Sequence, residues 1–93
     1  MLLTILYTAH AEEKILSELS KFNISKNIIK ETILNPDELL YNTKTSRRIA
    51  INYNSNIAVI LEDRDTNILI ITVIYSSMLK KIVSRRKRSG RWV

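Results

Sequence analysis

The spacing of apolar and polar positions predicts strand, helix, helix, then strands, and a last helix. Leu2 to Tyr7 is a short apolar run that reads as a strand. Ala11, Ile15, Leu19 and Phe22 then recur at helical spacing behind Thr8, a residue type that caps helix N-termini. Asn23 suits the left-handed turn that ends such a helix. Ser25 caps a second helix from Lys26 to Leu34, with Ile28, Ile29, Thr32 and Ile33 on its buried side and Pro36 stopping it. Leu39 to Tyr41 begins an extended stretch. From Arg47 the pattern alternates: Ile49, Ile51 and Tyr53 point one way, and Arg48, Ala50 and Asn52 the other. Asn54-Ser55-Asn56 is a turn, Ile57 to Leu61 a strand, and Asp63 to Asn67 a polar turn. The longest apolar run, Asn67 to Tyr75, offers nonpolar side chains to both faces and is predicted to be the most deeply buried strand. Ser77 caps a last helix bearing Met78, Leu79, Ile82 and Val83 on one side, and Gly90 ends it.

These elements predict one α+β domain. Two N-terminal helices pack on an antiparallel β-meander of three to four strands, residues 1–79, followed by a basic C-terminal helix and tail, residues 80–93. A chain of 93 residues buries roughly 60 to 65% of the surface that it exposes when unfolded. The longest apolar run is too short to span a bilayer, which takes roughly 20 residues. The opening residues lack the basic region of a signal peptide, and there is no cysteine. The expected location is therefore cytoplasmic.

Charge adds a second feature. The net charge is +6, and seven of the fifteen basic residues lie in residues 80–93, which contain no acid. Residues 1–79 carry eight bases against nine acids, so attraction to polyanions is expected at the carboxyl end. Lys80, Lys81, Arg85, Arg86, Lys87, Arg88 and Arg91 supply phosphate-neutralising charge, and Trp92 an aromatic that stacks on bases. An anionic membrane surface or an acidic protein also fits such a tail. Nucleic acid, RNA ahead of DNA, is the expected partner, with no membrane, and the oligomeric state is left open.

Three segments carry a family resemblance. Thr8-Ala9-His10-Ala11-Glu12-Glu13-Lys14 with Ile24-Ser25, then Ile33-Leu34-Asn35-Pro36-Asp37-Glu38, and finally Thr72-Val73-Ile74-Tyr75 with Gly90-Arg91-Trp92 follow one another in order. This succession resembles a family of small domains of unknown function that is itself similar to BrnT-like and RelE-like toxin ribonucleases. Lys14 stands where the family has arginine, and Asn23 where it has glycine before Ile-Ser. The resemblance implies two helices against an antiparallel sheet, RNA cleavage or RNA binding, and an acidic antitoxin-like partner.

Candidate chemistry follows from the residue types. His10, the single histidine, lies near a helix N-terminus where its neutral form is favoured, which suits a general base acting on a ribose 2′-hydroxyl. Its structural alternative is a helix anchor. Lys14 shares its face. Arg47 and Arg48 point to opposite faces of a strand, so one at most joins Lys14 in clamping a phosphate. The alternative is a charged strand end that deters edge pairing. Tyr75, and less so Tyr53, would position an RNA base, or simply pack with a wet hydroxyl. No metal-ligand spacing or cofactor motif is found. Three readings stay open: a metal-independent endoribonuclease, a non-catalytic nucleic-acid-binding or regulatory module, and a protein-interaction module.

Overall fold

A computed structural model of the chain describes residues 4–93. Strand β1 (Thr4–Tyr7) leads into helix α1 (Ala9–Ser17), and the expected Leu2 and Leu3 of the strand lie outside the described residues. Thr8 caps α1 as predicted, accepting from the Ala11 N–H at 3.1 Å. The helix is shorter than its apolar stripe suggests. Ser17 and Ser20 donate to the carbonyls of Glu13 and Leu16, and the backbone tightens into a 3-10 turn over Leu19–Phe22. Asn23, at φ 60°, closes it, with the Ile24 N–H donating back to the Leu19 carbonyl. Phe22 thereby leaves the buried stripe and stacks on Tyr75, ring centres 3.9 Å apart. Helix α2 (Lys26–Leu34) begins at Ser25, as expected.

Strands β2 (Glu38–Tyr41), β3 (Arg48–Asn52), β4 (Ile57–Asp63) and β5 (Asn67–Tyr75) form the expected antiparallel meander. The whole is a five-stranded mixed sheet, because β1 joins it in parallel beside β5, in the order β1-β5-β4-β3-β2. The apolar run of β5 is therefore not the middle strand. β4 holds that place and buries Ile57, Ala58, Val59 and Leu61. β5 carries an extra residue near Ile71, since Ile60 pairs with Thr72 while Leu61 pairs with Ile70. The bulge flips the alternation: Ile68 and Ile70 before it, and Val73 and Tyr75 after it, all pack on the helix α1 and α2 side. Thr8 anchors this point, its N–H donating to the Ile70 carbonyl and its hydroxyl to the Ile71 carbonyl.

Two cores result. Ala11, Ile15, Leu19 and Ile29 cover one face of the sheet above Ala50, Val59, Ile70 and Val73. On the other face α3 (Leu79–Arg88) lays Leu79 and Val83 on Leu40, Ile49, Ile51 and Ala58. Ser77 does not cap α3. Ser76 does the local work, accepting from the Met78 N–H with its hydroxyl and from the Leu79 N–H with its carbonyl. Gly90, at φ +74°, ends α3 as expected: its N–H donates to the Lys87 carbonyl and that of Arg91 to the Arg86 carbonyl.

The tail then turns back along the outer edge of β2. Tyr41 and Val93 exchange backbone hydrogen bonds at 3.0 and 2.9 Å, and the Thr43 N–H donates to the Arg91 carbonyl. Trp92, expected to be solvated and to stack on a base, is 4% exposed and belongs to the second core. Val83 and Trp92 thus share one core with Leu40, Ile49, Ile51 and Ala58 of the sheet. Among the described residues no helix is long and apolar enough to cross a membrane.

Candidate functional site

Of the residues expected to form a catalytic site, His10 and Lys14 are neighbours, whereas Arg47, Arg48 and Tyr75 lie elsewhere. His10 is exposed on the first turn of α1, and it lines a shallow depression with Lys14, Glu13, Ser17 and Glu18, all from α1 and its C-terminal cap. Arg48 lies in the same cross-sheet row as Tyr7, but β5 and β4 stand between their strands. Three strand spacings place it about 14 Å from β1. Both arginines are engaged locally, Arg47 with Glu62 at 3.1 Å and Arg48 with Asp63 at 3.2 Å. Tyr75 lies five residues beyond Ile70, about 16 Å along β5, with its ring against Phe22. The expected proximity fails because it relies on elements at opposite sides of a sheet whose strand order the periodicity does not reveal.

The cations of α3 are arranged differently. Lys80, Lys81, Arg85, Lys87 and Arg88 are exposed while Leu79 and Val83 are buried, so one side of the helix anchors it and the rest faces solvent. Lys87 is ion-paired with Glu38, Lys80 lies over the Tyr53 ring, and the Arg86 guanidinium lies over Trp92 at 5.7 Å. Among the described residues Lys81, Arg85, Arg88 and Arg91 have no ion-pair partner. Lys80 and Arg86 have none either, since an aromatic ring does not neutralise charge, and these six cations on α3 and the tail form an electropositive surface.

Beside α3 runs a cleft of about 630 Å³. Ile82, Arg85, Arg86 and Ser89, spaced 3, 1 and 3 residues apart on one helical face, form one wall. Thr43 and Lys44 of the β2–β3 loop and Arg91 of the tail form the other, and Ile74 of β5 contributes apolar surface. Among the described residues no carboxylate lines it. Arg91 reaches the cleft because buried Trp92 fixes the tail, and the Thr43 hydroxyl donates to the Gly90 carbonyl at 3.0 Å. Thr43, Lys44, Ile74, Ile82 and Ser89 are absent from the sequence-based site. Only Lys44, a cation in a polar loop, carried any signal, and nothing local tied that loop to the tail.

One network fixes α3 to the sheet. Glu38 on β2 accepts from both Lys87 and the Tyr53 hydroxyl. The hydrogen bond from Lys87, then that from Tyr53, holds the Glu38 carboxyl below its ordinary range. Burial, then the hydrogen bond to Glu38, pushes the Tyr53 hydroxyl up to about 12. A raised folded-state value means that Tyr53 stabilises the fold fully below pH 10 and loses that contribution as pH rises towards about 12. Stability measured by denaturant across that window is expected to fall, and to fall less in Tyr53→Phe. For Glu38 the sign is reversed: its contribution is present above the ordinary carboxylate range and fades on acidification below it.

Among the described residues no group of three His, Cys, Asp or Glu side chains lies close enough to hold a metal ion. Comparison with protein-family models, with curated proteins and with solved structures finds no match to the chain.

Proposed function

We propose that the protein is a non-catalytic nucleic-acid-binding module, RNA being its expected ligand, that holds the phosphate backbone on α3 and the adjoining cleft. The observation that carries this reading is the set of cations without an ion pair among the described residues, Lys80, Lys81, Arg85, Arg86, Arg88 and Arg91, held on a helix and tail that are themselves packed into the core. Cations fixed in place lose less freedom when they meet a polyanion than cations on a solvated tail. Neutralising phosphates releases counterions, which drives association.

A membrane surface is less well served. An interfacial helix inserts its apolar side, whereas that side of α3, Leu79 and Val83, is already covered by the sheet. The ribonuclease reading suggested by the BrnT-like and RelE-like resemblance draws no support from the separation of His10 and Lys14 from Arg47, Arg48 and Tyr75.

Incubation of the chain with labelled RNA in chelator at low salt separates these readings. The expected result is retention of intact RNA, with equal affinity in His10→Ala. Cleavage that disappears in His10→Ala would restore the nuclease, and absence of retention at low salt would remove the binding reading.

A further inference from the structure

The cleft differs from the outer face of α3 in lining one space with both apolar side chains and cations. Ile74 and Ile82 supply the first, and Lys44, Arg85, Arg86 and Arg91 the second. Ile82 and Arg85 are three residues apart on α3, so less than one turn, roughly 5 Å of helix, separates an apolar from a cationic side chain of the lining. A single ligand can therefore touch both.

Its volume of about 630 Å³ lies within the roughly 300 to 1,000 Å³ of small-ligand sites. The hydroxyls that line it already donate their protons, Thr43 to the Gly90 carbonyl and Ser89 to the Arg86 carbonyl, and have only acceptor capacity left. Charge and apolar contact are thus the main grounds of selectivity. Resting on the nucleic-acid reading above, we propose that the cleft seats one unpaired nucleotide of a single strand, its phosphate held by Arg85, Arg91 and Lys44 and its base laid against Ile74 and Ile82.

A base in a duplex has its faces stacked and its pairing edge occupied, so it has no surface to offer Ile74 and Ile82. A single strand offers the same phosphates together with free base faces. The site therefore favours single strands without reading their sequence, since apolar contact with a ring face is common to all bases.

Fluorescence anisotropy of the full chain at low salt tests this with three labelled probes: a mixed-sequence RNA single strand, its duplex, and a single strand of equal length with abasic sites. The single strand is expected to bind about tenfold more tightly than either of the others, equivalent to about 1.4 kcal/mol. Ile82→Ser is expected to weaken the intact single strand several-fold while leaving the other two unchanged. Equal binding of all three probes by the unmodified protein overturns the nucleotide seat and leaves the charge-based reading standing. Binding of none overturns that reading as well.

Discussion

Replacing Trp92 by alanine is expected to lower the unfolding free energy by about 3–5 kcal/mol, the usual cost of truncating a large buried aromatic. A chain of this length has about 5–14 kcal/mol in total, so the change removes a large part of its stability. The ring is buried with Leu40, Ile49, Ile51, Leu79 and Val83, and the backbone around it pairs with β2 and the residues that follow it through Tyr41, Asn42 and Thr43. A tryptophan on a solvated tail would behave otherwise, its removal changing stability by under about 0.5 kcal/mol. Equilibrium denaturation followed by circular dichroism distinguishes the two, because the substitution abolishes the fluorescence of the only tryptophan. The variant is also expected to expose the outer edge of β2, where Leu39 and Tyr41 are already half open to solvent.

The second large effect concerns binding. Replacing Arg85, Arg88 and Arg91 together by alanine removes three of the six cations of this surface that have no ion pair, while touching none of the ion pairs among the described residues. Each phosphate that is no longer neutralised is expected to make the slope of log affinity against log salt shallower by about 0.7–0.9. RNA affinity at low salt is therefore expected to fall well over tenfold in the triple variant. Its denaturation midpoint should move little, since substitutions at exposed positions such as Arg85 and Arg88 stay within about 0.5 kcal/mol of neutral. Gel-shift titration of both proteins beside their denaturation curves checks the pair of expectations.

How much of this was legible in the chain depends on the range of the interaction. Thr8, Ser25, Asn23 and Gly90 mark helix ends through bonds made within a few residues, and all four act as their types suggest. The alternation of Ile49, Ile51 and Tyr53 against Ala50 and Asn52 places each on its proper face for the same reason. The parallel pairing of β1 with β5 joins residues more than sixty positions apart, and no local pattern records it. The bulge near Ile71 is marked by neither glycine nor proline, so the run reads as an unbroken middle strand.

The early end of α1 was readable in principle. Ser17 and Ser20 compete for helix carbonyls, a weak signal that the apolar stripe through Phe22 outweighed. The tail misled through composition. Seven basic residues among the last fourteen suggest full solvation, yet Trp92 is apolar enough to be buried and drags Arg91 into the cleft wall. The cationic character of the site was therefore visible in the sequence, whereas its shape was not, since Thr43, Lys44 and Ile74 reach it only through the folded sheet.

The salt dependence of RNA binding by the unmodified chain bears most directly on the claim that a packed helix and tail present fixed cations to phosphates. Four to six phosphates, met by Lys81, Arg85, Arg88 and Arg91 with Lys44 and Lys80, give an expected slope of log affinity against log salt between about −3 and −5. A slope near zero, or no measurable affinity at the lowest salt, would contradict it.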